Sequence, residues 1–409
     1  MIKLALIGAG NRGMEVYGEL VLRFGNDARI VSVVEPDDFK RQECAKRHSI
    51  ADEFCFKNYI DFFESDKLAD AVIIANHDTG HYEPAKLAIL KGYNVLLEKP
   101  MSTDMEEVKA MSELSEAYSD RLFMVCHVLR YTPFFSELKK VIDSGKIGKI
   151  VCLQHNENIG YYHFAHSYVR GNWRRVSQSS PLVLAKSCHD MDILLWLTGS
   201  KCRNISSFGG LAHFNKESAP DYAVARCIDC SEISNCPYSA YKIYQDPKVW
   251  PASVAAPSKT AEELEAKLKE GPYGRCVYNC DNDTIDHMST AIEFENGVTA
   301  VFNISAFTTD IRRTIKIMGT HGEIRGDMLL NEIEVSVFGK GKELITPEVV
   351  ESGHGGGDLK LFEDFIDSLK NSRRESRTTV KLSVESHLMA FAAERSRITG
   401  QVVKMDQIY

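Results

Sequence analysis

The stretch Ile2-Lys3-Leu4-Ala5-Leu6-Ile7-Gly8-Ala9-Gly10-Asn11-Arg12-Gly13, answered by Ile30-Val31-Ser32-Val33-Val34-Glu35, decides the fold. An apolar strand runs into glycines at 8, 10 and 13. A helix from Arg12 to Phe24 then carries Val16, Leu20 and Phe24 on one stripe, and a second apolar strand ends on an acid 22 positions after Gly13. Strand, glycine turn, helix, strand and acid in that order form a dinucleotide-binding fingerprint. Gly8 allows the tight turn, Gly10 lets backbone N–H groups approach a pyrophosphate, and Gly13 lets the helix lie close to the strand. Asn11 and Arg12 fall inside the same turn and join the glycines as cofactor-binding candidates. A carboxylate at Glu35 accepts hydrogen bonds from a ribose diol and repels a 2′-phosphate, so NAD is expected over NADP, with Arg41 near enough in sequence to act the other way and favour the phosphate.

Outward from this unit, strands at 71–75, 94–97 and 122–126 alternate with helices near 83–91 and 104–118. Such alternation calls for a parallel sheet with helices on both faces, and its ligands lie beyond the carboxyl ends of the strands. Asn76, His77 and the pair Glu98-Lys99 all follow strand ends, so they share that edge. A lysine there can polarise a hydroxyl and stabilise a developing alkoxide.

After His127 the pattern changes to a helix near 133–144, a strand at 150–157, a helix at 181–197 and strands at 289–294, 298–306, 314–319 and 332–338, with Asn296-Gly297 as a hairpin signal. Two late helices, 359–369 and 383–398, complete this half. The fold class is α/β: residues 1–126 form an N-terminal Rossmann domain with a parallel sheet. Residues 127–409 form a C-terminal α+β domain with an open, mainly antiparallel sheet. Because helices cover only one face of that sheet, an apolar open face and a homodimer or homotetramer built through it are expected.

The chain has 409 residues, a net charge of −8, 44% hydrophobic and 26% charged side chains. An acidic balance with no long basic run argues against a nucleic-acid surface. No apolar run approaches the ~20 residues of a membrane helix, and no export-signal pattern precedes the first strand, so a cytoplasmic location is expected.

GAGNRG, Glu35, His81 within HYEPAKLAILKGYNVLLEKP, and the helix CHDMDILLWLTG together resemble the Gfo/Idh/MocA oxidoreductases, as do IKIMGTHGEIRGD and AERSRITGQVV further on. The resemblance covers nearly the whole chain. It implies tightly bound NAD(P) and a sugar, cyclitol or derivative as substrate. It makes Lys99 the lysine beside the nicotinamide and His189 the base that takes the hydroxyl proton. It also brings His81, Glu98, Trp173 and Arg174 to the cofactor. Many members carry an aspartate one helical turn before the histidine, where this chain has Ala185. Lys186 follows, and Asp190, a water or Lys186 itself is left to complete the relay.

The segment His155–Arg175 is dense in aromatic and hydrogen-bonding side chains, as a sugar-binding wall would be. Arg130, Tyr131, Asn158, His166 and Asp190 are the substrate-binding candidates. Residues 211–281 interrupt the strand pattern and hold Cys227, Cys230, Cys236, Cys276 and Cys280, five of the eleven cysteines. Four of these five are expected to hold a structural zinc that orders an insertion poor in apolar residues. An iron–sulfur cluster is the less favoured reading, since Cys236-Pro237 is ferredoxin-like but the spacing is not. The expected activity is NAD-dependent oxidation of a sugar or cyclitol carbinol. The alternatives are a glycoside-cleaving enzyme that oxidises, eliminates and reduces with NAD recycled in place, and a non-catalytic NAD-binding regulator.

Overall fold

The computed structural model describes residues Met1–Tyr409. Six strands, β1 (Ile2–Ile7), β2 (Ala28–Val34), β3 (Cys55–Phe56), β4 (Ala71–Ile74), β5 (Asn94–Leu97) and β6 (Phe123–Val125), form one sheet in the order 3-2-1-4-5-6. Every pairing is parallel. The order reverses between β1 and β4, and the crevice where a doubly wound sheet binds its ligand opens there.

The first helix departs from expectation. Residues Asn11–Gly18 wind as a π-helix, and ordinary α-helical turns begin only at Glu19–Arg23. The wider turns rotate the buried stripe to Met14, Tyr17, Leu20 and Val21, leaving Val16 and Phe24 only half-buried.

The second sheet contains nine strands: β7 (Ile150–Asn158), β8 (Cys202–Gly210), β9 (His287–Phe294), β10 (Thr299–Ser305), β11 (Arg312–Gly319), β12 (Gly322–Asp327), β13 (Glu332–Val337), β14 (Gly341–Ile345) and β15 (Val403–Lys404). They lie in the order 14-13-12-11-7-10-9-8-15, antiparallel except for the pair β7–β10. Asn296-Gly297 turns β9 into β10, and Gly297 has φ +83° as such a turn requires. β8 escapes sequence reading because CRNISSFGG is polar and glycine-rich.

The open face of this sheet differs from the apolar one expected. The apolar alternates Met288, Ile292, Phe294, Ala300, Phe302 and Ile304 all point into the covered face. The other face shows Ser289, Ala291, Thr299, Val301 and Asn303, with Phe208 paired beside Ser289 and strongly exposed. It is a mixed surface.

The late helices divide their packing. Leu361, Phe362, Phe365 and Ile366 of the helix Gly357–Lys370 belong to the core of the dinucleotide half, against Tyr17, Leu20 and Leu122. Val125 N–H donates to Thr378 O at 2.8 Å, so the tail is stitched to β6 as well. An amphipathic stripe says that a helix is buried, not against what.

Candidate active site

The glycine turn is shaped by close approach. A Cβ on Gly8, which has φ +91°, would stand 2.5 Å from the backbone nitrogen of Asn76, and one on Gly13 would stand 1.9 Å from Gly8 O. Gly10, by contrast, faces open space, and the helix begins there with no side chain capping its N–H groups. At the end of β2 the Glu35 carboxylate is buried and accepts from the N–H of Ala9 at 2.8 Å and of Asp37 at 3.0 Å. The Arg41 guanidinium is held by Glu35 O at 2.7 Å and by the Asp38 carboxylate. An open glycine beside a helix start, with a fixed carboxylate on the next strand, fits a dinucleotide.

Around this crevice the candidates divide between facing the cleft and framing it. Arg12 turns inward, to Glu98 at 2.6 Å and Asp358 at 2.8 Å. Burial disfavours the charged Glu98, yet Arg12, the Tyr17 hydroxyl at 2.7 Å and Lys99 outweigh it and hold the carboxyl below its usual range. Both ring nitrogens of His81 are taken by carbonyls, Pro100 O at 2.6 Å and Asn76 O at 3.1 Å, so His81 clips the two loops together. Asn76 donates to Gly80 O at 2.8 Å. His77 stacks on Trp173 at 6.1 Å, and Trp173 donates to Asp78 at 2.8 Å, which brings the second domain to the cofactor edge. Arg174 is instead paired with Asp281 at 2.9 Å.

The expected continuous helix over 181–197 is broken into Leu182–Ala185 and Cys188–Thr198. At the break the Ala185 carbonyl accepts the Lys99 ammonium at 2.8 Å. His189 begins the next turn, 4% exposed, with its Nδ1 buried and unpartnered. Burial, then Lys99, His127 and His354, push its pKa well below the ordinary histidine range, so the ring is a neutral base near pH 7.

Lys186, at the same break, lies 3.5 Å from Glu157. Glu157 faces Arg313 directly across β7 and β11, at 2.7 Å, and Arg313 also holds Asp190 at 2.8 Å. Asp190 accepts from His155 Nε2 at 2.8 Å as well, so it is locked beneath the site and does not present itself to substrate. Burial lowers the Lys186 pKa, and Arg313 and Lys99 add to that while Glu157 opposes it.

Three other substrate candidates point elsewhere. Arg130 is bound by both oxygens of Asp192 at 2.6 Å, and Tyr131 donates to Asp364 at 2.7 Å beside a separate cavity of about 550 Å³. His166 stacks on Tyr273 at 5.0 Å inside the insertion and bonds Tyr244, and burial pushes its pKa down to about 3. Asn158 ends β7 opposite Arg312.

Several residues at the site escaped the sequence reading. His127 packs edge-on against His189 at 5.6 Å and His387 at 5.4 Å. His163, with an unpartnered Nδ1, feels Lys186 and Lys99. His354 lies 6.1 Å from His189, ring to ring, in a loop with left-handed φ of 52°, and its Nδ1 meets Asp358 at 2.9 Å. The run Gly353-His354-Gly355-Gly356-Gly357-Asp358 was a usable signal, a glycine loop carrying a histidine and an acid into a helix. Glu157 and Arg313 had none, since only strand register brings them together.

The zinc expectation finds no support. All eleven cysteines are free, and no group of three or more His, Cys, Asp or Glu side chains is placed to hold a metal ion. Cys227, Cys230, Cys236 and Cys276 do line one small cavity, whereas Cys280 turns to Cys276 O at 3.3 Å.

A parallel sheet with a fingerprint turn and Lys99 at its carboxyl edge, met by the helix of a second, open-sheet domain that carries His189, defines a two-domain nicotinamide-dependent oxidoreductase. The chain belongs to the Gfo/Idh/MocA oxidoreductase family: residues 2–127 match its NAD-binding Rossmann fold and residues 139–405 its C-terminal alpha/beta domain. It is 26% identical over 393 residues to YteT of Bacillus subtilis (strain 168), covering 90% of this chain and 89% of that one. It is 29% identical over 207 residues to inositol 2-dehydrogenase 2 of Saccharopolyspora erythraea, about half of each chain (49% and 55%). In fold it is similar to levoglucosan dehydrogenase in complex with NADH and L-sorbose, with a TM-score of 0.73 and 18% identity over the full length of both. No helix is long and apolar enough to cross a membrane.

Proposed function

We propose that the protein oxidises a secondary hydroxyl of a sugar, cyclitol or glycoside, with NAD as hydride acceptor. The observation that carries the reading is the convergence of Lys99 and His189 at the helix break. NAD, when bound, takes the carbinol hydrogen as hydride. The chain's own residues supply position and proton transfer. His189, kept neutral by burial and by the ammonium of Lys99, takes the hydroxyl proton. Lys99 stabilises the oxygen as negative charge develops on it, and the Ala185 carbonyl keeps its ammonium in place. Lys186, with Glu157 behind it, offers a second cationic donor for a neighbouring hydroxyl.

The choice of NAD over NADP rests on Glu35 together with the engagement of Arg41 by Glu35 O and Asp38, which leaves that cation occupied. The free thiols suit a reducing compartment such as the cytoplasm. A homo-oligomer remains part of this reading, resting on the exposed Phe208 and Val301 of the open sheet.

A second reading, redox-neutral glycoside cleavage, is favoured by the His354–Asp358 pair, because elimination asks for an acid–base group beyond the one used in oxidation. A panel of sugars, cyclitols and aryl glycosides separates the two. Accumulation of NADH in step with product supports the dehydrogenase, and aglycone release without net NADH supports the cyclic chemistry. Inertness toward the whole panel, with NAD bound, turns the assignment toward a regulator.

A further inference from the structure

His354 is the one residue other than glycine in the run from Gly353 to Gly357, and it holds a left-handed φ of 52°. That conformation costs a side chain with a Cβ more than it costs glycine, so its retention points to a use for the imidazole. Close approach fixes the loop. A Cβ on Gly353 would stand 2.3 Å from the Asp358 carboxylate, and one on Gly357 would stand 2.4 Å from Val128 O. The loop so fixed sets the His354 ring 6.1 Å from that of His189.

Oxidation of a carbinol releases one proton per turnover. The carbinol hydrogen leaves with two electrons for NAD, the hydroxyl proton goes to His189, and His189 must lose it before the next substrate. Redox-neutral cleavage returns that proton within its own cycle, so the requirement belongs to the dehydrogenase reading, on which this inference rests. His189 is 4% exposed and has little water of its own to receive the proton.

The groups around His189 differ in whether they can take it. Lys99 and Arg313 are already cations, held by Ala185 O and by Glu157 with Asp190. His127 lies 5.6 Å away, ring to ring, but it is fully buried and packed against His387, which is fully buried too, so a proton passed there goes no further. The His354 side chain is 39% exposed. It alone joins the His189 pocket to solvent.

A carboxylate stands behind it. Asp358 is buried, meets His354 Nδ1 at 2.9 Å and is held by Arg12 at 2.8 Å. Burial opposes its charge, but Arg12 and His354 keep it ionised. An ionised carboxylate only accepts, so the shared hydrogen sits on Nδ1 and leaves Nε2 to take a proton. The imidazolium formed is stabilised by Asp358 and gives its extra proton to water. A single water spans the gap between the two rings.

We propose that His354 carries the proton released at His189 out to solvent, with Asp358 orienting its ring and stabilising the cation. It acts on His189 and not on the substrate. His354→Gly keeps the left-handed backbone and opens a space for added imidazole. On a carbinol that the wild type oxidises, this variant is expected to lower kcat at least ~10-fold with KM and NAD affinity nearly unchanged. Imidazole in the buffer restores its turnover, and its solvent deuterium isotope effect on kcat exceeds that of the wild type. His354→Asn, which also tolerates positive φ, repeats the kcat and isotope measurements should five successive glycines loosen the loop. Wild-type kcat, or a loss that imidazole does not repair and that leaves the isotope effect unchanged, overturns the proposal. A wild type that oxidises no carbinol defeats the dehydrogenase reading itself, and a measurement without turnover then decides the relay. In chains carrying 15N-labelled histidine with NAD bound, the ring N–H of His189 is expected to exchange with water at least ~10-fold more slowly in His354→Gly than in the wild type. Equal exchange in the two overturns the relay.

Discussion

The ammonium of Lys99 rests on the backbone carbonyl of Ala185, 2.8 Å away, one helical turn before His189. A carbonyl dipole steadies a cation without adding a full negative charge. Burial first, and then the Lys99 ammonium, keep the pKa of the neighbouring His189 low.

Placing an acid at this position tests the assignment. Ala185→Asp introduces a carboxylate that favours the imidazolium form of His189, so its pKa rises. The acid limb of the kcat/KM profile, which reports deprotonation of the free enzyme's base, is expected to move to higher pH in the variant. An unmoved limb would mean that His189 is not the titrating base.

Lys99→Ala is expected to lower turnover by at least ~100-fold with NAD affinity nearly unchanged, because the ammonium acts on charge that develops only in the transition state. Stopped-flow turnover alongside NAD titration checks it, and wild-type turnover removes Lys99 from the chemistry.

Glu35→Ala should weaken NAD binding and narrow the preference over NADP. The variant also releases the Ala9 and Asp37 N–H groups that the carboxylate holds. Fluorescence titration with both reduced cofactors measures the ratio. An unchanged ratio contradicts the ribose assignment.

Asp358 couples acid stability to the cofactor turn. Burial opposes its charge, but Arg12 and His354 overcome that and hold its pKa far below the ordinary value. A folded-state pKa below the unfolded one gives stability that is present above the unfolded value of ~3.9 and is lost as pH falls from there. Asp358→Asn should therefore be less stable than wild type near neutrality and lose less on acidification, as thermal melts across pH will show. Parallel curves for the two proteins would refute the linkage.

Much of the fold is written locally. The turn at residues 8–13, the acid at 35 and the Asn296-Gly297 hairpin each combine backbone chemistry with a period that reads directly from the chain. The site is only half written there. Lys99 and His189 sit in recognisable motifs, but whether a polar side chain faces the cleft or a partner is decided by register and docking. Arg130, Tyr131 and Asp190 carry the right chemistry and are all claimed by partners, Asp192, Asp364 and Arg313. The cysteine spacing, in turn, suggests a ligand set that the folded chain does not assemble.

The helix Gly357–Lys370 has a consequence for biosynthesis. The flank of the dinucleotide half formed by Tyr17 and Leu20 waits for Phe362 and Phe365, which leave the ribosome about 240 residues after β6 is complete. Throughout that interval the first domain carries an uncovered apolar side, the kind of surface that makes a partly made chain prone to aggregate until its own C-terminal segment arrives to close it.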